Sequence, residues 1–429
     1  MKVRNYYFTE SILTFIFVIS SIGLLSKIPL GDFFNPVSKM FGDFQLSDVV
    51  FSHIRENKNA NEKIVLVNIG DLSRGGIAEQ INILRKHNPK VIGIDAFFRK
   101  PRHSSDPEED KVLVQEDSML VDAFSRTQNL IIVSELIEDQ NTSKIETLKM
   151  SHPMFVQHAY TGFADMISEG RDVFKTAREC IPKEKIGDSI VLSFPTFIAK
   201  LYDEKAVEKY LNRDNEIEII NFEGNIDTRT EGVSGNSKTT FFALDAEQVL
   251  NEQFEPEIIK DKIILMGYMG SSFTQSSWTD KFFTPLNANY VGKTYPDMYG
   301  VVVHANVVSM ILRGEFIDEM NPTLNLSISL VLIFFFIWFL TFCFYVLKDW
   351  YDGGSNIVTL ILVCFLMFLN IEIFNKYNFK IDLSYLMVAT FLSGNLVEIY
   401  QGVIKMGYIT IKEKIVTWNN KKLKSTEQL

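Results

Sequence analysis

Four apolar runs constrain this chain more than any other feature of its sequence. One run covers about residues 7–25, and a long stretch of ordinary globular composition follows it. Three further runs, at about 324–347, 356–374 and 384–403, lie in the last quarter. Each run is close to the ~20 residues that a helix needs to cross a hydrocarbon core of ~30 Å. The pattern predicts an integral membrane protein with one N-terminal and three C-terminal transmembrane helices.

Basic residues flank these runs mainly on one side of the membrane. Lys2 precedes the first run, Lys348 follows the second, and a lysine-rich tail at 404–429 follows the fourth. Under the positive-inside rule these segments are cytoplasmic, which places residues 28–322 outside. The outer loop at 375–383 also contains two lysines, so the asymmetry is a bias and not a clean separation. We expect both termini in the cytoplasm.

The first apolar run is predicted to be an uncleaved anchor, with a cleaved signal peptide as the alternative. Residues 20–25 lack the small-x-small pattern of a cleavage site, which favours the anchor. The predicted domains are a cytoplasmic start and anchor at 1–27, an extracytoplasmic domain at 28–322, three transmembrane helices at 323–403, and a short basic cytoplasmic tail at 404–429.

Charge and cysteine content narrow the function of the outer domain. The chain carries a formal net charge of −10, and acidic residues predominate between 28 and 322. This argues against nucleic-acid binding there, because a phosphate backbone requires a positive footprint. Cys180 is alone in this domain, so no disulfide is expected within it. The abundance of Lys, Asn, Ile and Phe is typical of an AT-rich bacterial genome, which places the protein in a bacterial inner membrane with its large domain in the periplasm.

The outer domain begins with a strand–helix–strand pattern. Residues 64–69 are apolar and mostly β-branched, a helical repeat follows at 77–84, and a break at 87–89 precedes a second apolar run at 91–95. A parallel pair with a right-handed crossover follows from this order. We predict an α/β fold with a mainly parallel sheet flanked by helices. Further strands are expected at 130–134, 217–221 and 262–267, helices at 118–125, 193–201, 244–251 and 301–312, and loops at 100–111 and 224–239.

The chemistry-bearing residues do not form a known catalytic or metal motif. The six histidines are scattered, and no nucleophile elbow or dinucleotide fingerprint occurs. We therefore expect no enzyme activity, no metal and no cofactor. In open parallel sheets ligands bind beyond the carboxyl ends of the strands, which makes Asp71, Asp95, Glu135 and Ser271 candidates for ligand binding. The alternative for Asp71 and Asp95 is that they cap the segments that follow their strands.

Two residues of the fourth apolar run are candidates for transmembrane coupling. Glu398 lies within the run near its cytoplasmic end, where a carboxylate is costly and is by default a functional hypothesis. Its alternative is snorkelling or pairing with Lys405. Gly394 is small enough to permit close contact between helices.

Five sequence blocks of the outer domain resemble the type-two CHASE extracellular sensor domain of bacterial adenylate cyclases, histidine kinases and diguanylate cyclases. The segment at 90–98 is close to the characteristic strand of that family, and the layout of one span before and three after the domain is also similar. The middle, at about 138–257, matches weakly. The matching blocks are 64–71, 90–98, 261–267, 280–286 and 300–306, the last leading into 312–314.

The resemblance adds Asp280 to the candidate ligand-binding residues. His304, in the helix predicted at 301–312, is a further candidate, although a hydrogen-bonded packing role is favoured for it. The resemblance implies a membrane sensory subunit that detects a small molecule or an envelope component, and it is compatible with a homodimer. Relatives continue into a cytoplasmic catalytic domain, whereas only a short tail follows the fourth run here. We therefore expect the signal to pass to a separate cytoplasmic or membrane effector protein.

Two other functions remain open from the sequence. In the first, the outer domain is a structural or scaffolding subunit that docks cell-envelope proteins, which predicts an exposed apolar patch and no polar pocket. In the second, it is an outward-facing hydrolase that uses Asp71 and Asp95, which requires both carboxylates in one cleft.

Overall fold

The computed structural model describes residues 2–25, 45–56, 59–138, 145–165, 176–226, 240–275, 277–287 and 295–426. The chain divides into two compact units. We call Met40–Ile317 the globular unit, and Met1–Lys39 together with Asp318–Leu429 the helical unit.

A seven-stranded sheet forms the centre of the globular unit. All neighbouring strands are parallel except β3 and β4, and the register pairs Ile64 with Ile263 and Ile263 with Val91. The central strands are apolar on both faces and fully buried, as expected for a parallel sheet covered on both sides. The strand order is β10 (Phe241–Leu244), β1 (Asn61–Asn68), β11 (Ile263–Gly267), β2 (Val91–Asp95) and β3 (Leu130–Glu138), with β4 (Ile145–Lys149) and β5 (Tyr160–Phe163) both paired to β3.

Helices cover both faces of this sheet, which confirms the predicted α/β class. On one face lie α3 (Arg74–Lys86), α4 (Pro107–Ser125) and the short α8 (Ala246–Leu250). On the other face lie α6 (Phe194–Tyr202) and α9 (Gly300–Arg313). Gly93 permits the close approach of α6, because a Cβ atom there would lie 2.7 Å from Cδ1 of Ile198.

Smaller elements connect these layers. Residues 46–54 form one short helical segment, α2 (Leu46–Val49), which continues into a π-helical turn at Val50–Ile54. The others are α5 (Pro153–Val156), α7 (Glu204–Leu211), a 3₁₀ turn at Pro256–Ile258, and the paired strands β6 (Glu179–Cys180) with β9 (Glu218–Ile219), β7 (Lys183–Ile186) with β8 (Ser189–Leu192), and β12 (Lys281–Phe282) with β13 (Met298–Tyr299).

Three predictions about the secondary structure were wrong. The loop predicted at 100–111 ends at Asp106, which caps α4 by accepting a hydrogen bond from Glu108 N, and Pro107 occupies the first helical position. The strand predicted at 217–221 shrinks to β9, which pairs with β6 outside the central sheet. The helix predicted at 244–251 in fact begins at Ala246, and strand β10, which precedes it, was not predicted. Most of the loop predicted at 224–239 lies outside the described residues.

The helical unit contains α1 (Lys2–Leu25) and a long C-terminal group of helices. Three described segments are apolar and long enough to cross a membrane, namely Phe8–Leu25, Pro322–Tyr377 and Ser384–Trp418. They identify a membrane protein. The C-terminal elements are β14 (Asp318–Glu319), α10 (Pro322–Leu347), a 3₁₀ turn at Lys348–Trp350, α11 (Tyr351–Tyr377), β15 (Phe379–Lys380), α12 (Ser384–Glu398), a π-helical stretch at Ile399–Lys405, and α13 (Met406–Thr426).

Candidate functional site

Asp95 and His304 meet at the carboxyl edge of the sheet. Asp95 is the last residue of β2, and strand alternation places it on the same face as Gly93, where α6 and α9 pack. His304 lies in the second turn of α9, with its Nε2 atom 3.9 Å from Oδ2 of Asp95. The imidazole packs edge-on against the ring of Phe194, with a centroid distance of 5.3 Å. The two side chains are 16% and 5% exposed, so both are largely withdrawn from water.

Asp280 completes this group from the segment before β12. Its carbonyl oxygen accepts a hydrogen bond of 3.0 Å from Gly300 N at the start of α9. Its carboxylate lies against the same glycine, because a Cβ atom on Gly300 would be 3.2 Å from Oδ2 of Asp280. Gly267 at the end of β11 is equally constrained, since its Cβ would lie 2.6 Å from Cβ of Val301. The two glycines therefore let the first turn of α9 approach both the sheet and Asp280.

The environment shifts the pKa of all three groups. Burial raises the pKa of Asp95 to about 6 and lowers the pKa of His304 to about 4. Asp280 is open to solvent on its outer side, but burial of its inner side, followed by the negative charge of Asp95, raises its pKa to about 7. Within the described part of the chain, neither carboxylate forms an ion pair with a basic side chain other than the long contact to His304. Near pH 7 Asp95 is therefore mostly ionised, Asp280 is about half protonated, and the imidazole of His304 is uncharged.

Comparison with known protein families identifies the family of the chain. A family model described as the CHASE2 domain matches residues 31–345. The chain belongs to the CHASE2 family. The type-two CHASE resemblance of its sequence is thereby confirmed. No match was found among curated proteins or solved structures.

The other predicted ligand-binding residues of the CHASE2 domain do not join this group. Asp71 and Ser271 are exposed, and Ser73, rather than Asp71, caps α3 by accepting a hydrogen bond from Gly76 N. Glu135 forms ion pairs of 2.7 Å with Arg99 and 3.4 Å with Lys149. The Arg99 contact lowers the pKa of Glu135, which stabilises the ionised carboxylate on the surface. Asp280, and not Asp71, is thus the carboxylate coupled to Asp95.

Asn68 is a residue of the same edge that the sequence analysis missed. Its side-chain oxygen accepts hydrogen bonds from Gly70 N and Met269 N at 2.9 and 2.8 Å, and its amide donates to Gly270 O. It also donates to Asp245, which follows β10. Asn68 therefore fixes the loops after three adjacent strands. The signal available in the sequence was an amide residue near the end of an apolar strand. In the structure its side chain is fully buried, so its polar atoms need hydrogen-bond partners.

A small cavity lies on the inner side of His304. Its lining includes Ser193, Val303 and Val307, and its volume of about 10 Å³ is enough for roughly one water molecule. Among the described residues, no cluster of three or more His, Cys, Asp or Glu side chains could hold a metal ion.

Charged pairs also fix the two ends of the globular unit. Near the beginning, Arg178 binds both carboxylate oxygens of the fully buried Asp48, at 2.9 and 2.6 Å. Near the end, Arg213 bonds to Glu218 at 2.6 Å and donates to the carbonyl oxygen of Ile317 at 3.3 Å. Both arginines belong to the segments around β6 and β9, so this ribbon is linked to each end of the domain.

Of the two predicted coupling residues, only Gly394 lies at a helix contact. A Cβ atom there would be 3.4 Å from Oγ of Ser355 on α11, and Tyr351 donates a hydrogen bond of 3.1 Å to Gly394 O. Glu398 is exposed on the surface of the helical unit and has no hydrogen bond or ion pair among the described residues. The alternative pairing of Glu398 with Lys405 is wrong.

Lys405 instead pairs with Glu10 of α1, with 2.6 Å between Nζ and Oε2. The pair is largely buried, at 17% and 13% side-chain exposure, and a chain of hydrogen bonds extends from it. Lys405 donates to Tyr345, Tyr345 donates to Gln401, and Gln401 donates to Thr14 at 2.8 Å. We call these five residues the Glu10 network. It joins α1, α10 and the π-helical stretch, a type of helix irregularity that is frequent at functional sites.

Proposed function

We propose that this chain is a membrane sensory subunit. Its CHASE2 domain detects a small molecule outside the cytoplasmic membrane, and the chain signals to a separate cytoplasmic effector. The observation that carries the proposal is the group of Asp95, Asp280 and His304, because partly buried carboxylates without a basic partner mark functional sites more often than structural ones. The group also lies beyond the carboxyl ends of parallel strands, where such folds bind ligands. No catalytic step is assigned to it.

The proposed topology has four transmembrane helices. Helices α10 and α11 contain 26 and 27 residues and are joined by a 3₁₀ turn, so each is long enough to span the bilayer separately. Together with α1 and α12 they place both termini on the side of Lys348, which the positive-inside rule assigns to the cytoplasm. In a bacterial cell the CHASE2 domain would then lie in the periplasm.

Transmission through the membrane is assigned to the Glu10 network. An ion pair between α1 and the π-helical stretch would cost several kcal/mol to separate in a low-dielectric environment. Such a contact favours discrete helix arrangements over a continuous range, as a two-state signal requires. Gly394 would provide a second point of contact, between α11 and α12.

The last helix supplies a surface for the effector. Tyr408, Ile411, Ile415 and Trp418 recur at spacings of three and four residues, so they form one apolar stripe along α13. Each of them is more than half exposed. We assign this stripe to a cytoplasmic partner helix. A second copy of the chain is the competing occupant.

The test is photo-crosslinking in living cells. A benzophenone amino acid replaces Trp418 in the full-length protein, and the products are purified and identified by mass spectrometry. Capture of a kinase, cyclase or other regulatory protein, lost in Ile411→Glu but retained in the opposite-face control Thr417→Glu, supports the proposal. Cross-links confined to a second copy of the chain, or to lipid, would refute the proposal that the chain binds a separate effector protein. If the benzophenone is placed on the CHASE2 domain instead and captures envelope proteins alone, the scaffold function is favoured.

A further inference from the structure

We propose that the group of Asp95, Asp280 and His304 binds a small organic cation that carries N–H donors, such as a primary ammonium or a guanidinium group. The proposal rests on the function proposed above, since it assigns a ligand class to the same site. It requires a net negative site, a buried acceptor and access from solvent.

The negative charge of the site is uncompensated within the described part of the chain. Asp95 and Asp280 come from separate elements, and their charges repel each other. The nearest basic residue in sequence, Lys281, places its Nζ atom 4.6 Å from the ring centroid of Tyr299 and forms no ion pair with Asp280 among the described residues. A bound cation would remove the cost of holding both carboxylates ionised in a partly desolvated position.

His304 is an independent indication of a ligand. Only 4% of the residue is exposed, its Nε2 atom faces Asp95 at 3.9 Å, and it forms no hydrogen bond within the described ranges. A separation of 3.9 Å is too long for a direct hydrogen bond. A neutral imidazole carries one acceptor nitrogen, which is therefore available to a donor group of a ligand. A ligand with several N–H groups can donate to the imidazole and to a carboxylate together.

The surroundings argue against an anion and against a metal ion. The first turn of α9 would attract an anion, but the Asp280 carboxylate lies there, beside Gly300. The described residues do not include a set of three side chains arranged for metal coordination. The 10 Å³ cavity behind His304 is too small for any organic group, so the ligand is bound at the open side, next to Asp280.

The experiment is isothermal titration of the full-length protein in nanodiscs at pH 7.5. The probes are putrescine and methylguanidine. Two control compounds separate charge from hydrogen bonding: 1,4-butanediol has the length of putrescine without its charge, and tetramethylammonium has a charge without N–H groups. We expect saturable binding of at least one probe, weakened at least tenfold by Asp95→Asn and by Asp280→Asn. The matched control Asp71→Asn, at an exposed carboxylate of the same sheet edge, should bind as the wild type does.

Three results would overturn the proposal: no binding of either probe, equal binding of a control compound, or binding that Asp95→Asn leaves unchanged. Succinate tests an anionic ligand. If it binds and Asp95→Asn weakens its binding, the site is retained but the proposal of a cationic ligand is rejected. Failure of the sensory role itself is measured separately, because the Trp418 cross-linking needs no added ligand.

Discussion

Replacing Asp95 by Asn should stabilise the globular unit at alkaline pH. Burial raises the pKa of Asp95 from 3.8 to about 6, so the folded protein disfavours the ionised carboxylate. A shift of about 2 units corresponds to about 3 kcal/mol of folding free energy at pH 8. Asn has nearly the same shape and never ionises, so Asp95→Asn should recover most of this amount.

The expected pH dependence follows from proton binding. Between pH 4 and pH 6 the folded state keeps a proton on Asp95 that the unfolded chain has released, so stability falls as the pH rises through this window. The gain from Asp95→Asn should therefore shrink from about 3 kcal/mol at pH 8 to about half of that at pH 5, and disappear below pH 4.

The assay is pulse proteolysis of the full-length protein in detergent over a urea gradient, at pH 5 and pH 8. Asp71→Asn is the matched control, because Asp71 is exposed at the same edge of the sheet and should leave the midpoint unchanged at both pH values. A variant Asp95→Asn that is equally stable or less stable than the wild type at pH 8 would refute the reasoning. It would mean that Asp95 receives stabilising contacts, as a capping residue does.

Further predictions concern three other groups. Burial lowers the His304 pKa from 6.5 to about 4, so the wild type should lose about 3 kcal/mol of stability as the pH falls from 6.5 to 4. His304→Phe should abolish this loss, because Phe does not titrate, and urea titrations at pH 4.5 and 7 test this. Asp48→Ala should cost about 3–5 kcal/mol because it removes the carboxylate that neutralises the largely buried Arg178, and Asp48→Leu combined with Arg178→Met should cost less when measured by the same proteolysis. Glu10→Gln and Lys405→Met should each lower the melting temperature of the detergent-solubilised protein, and the double variant should lose less than the sum of the two, whereas additive losses would contradict the ion pair.

The central sheet could be predicted because its signals are local. Residues 64–69, 91–95 and 262–267 are mainly apolar, and all three segments form neighbouring strands. The start of α4 was missed although its signal was local as well, because Asp106 and Pro107 were interpreted as turn residues rather than as a cap and a first helical residue. Strand β10 gave little signal, since an edge strand of four residues is defined mainly by its partner.

The candidate site could be predicted only in part. Asp95 followed from its position at a strand end, His304 from its place in a predicted helix, and Asp280 from the family resemblance, but no sequence spacing indicated that these three would meet. Glu10 was visible within the first apolar run and Lys405 just after the fourth, yet only packed helices could show that they form a pair. Glu398 was the more conspicuous carboxylate, and it lies on the exposed surface of the helical unit.

The sequence by itself determined that this chain is a membrane protein with a large α/β domain, because hydrophobic length and periodicity act within a single segment. The CHASE2 type followed from the resemblance of its sequence blocks to that family. The tertiary structure decided which charges lack partners and which are paired. Asp95 and Asp280 are separated by 185 positions in the chain, and their coupling depends on two glycines that bring α9 against the sheet. Electrostatic energies depend on distance and burial in space, and neither quantity can be obtained from the order of residues along the chain.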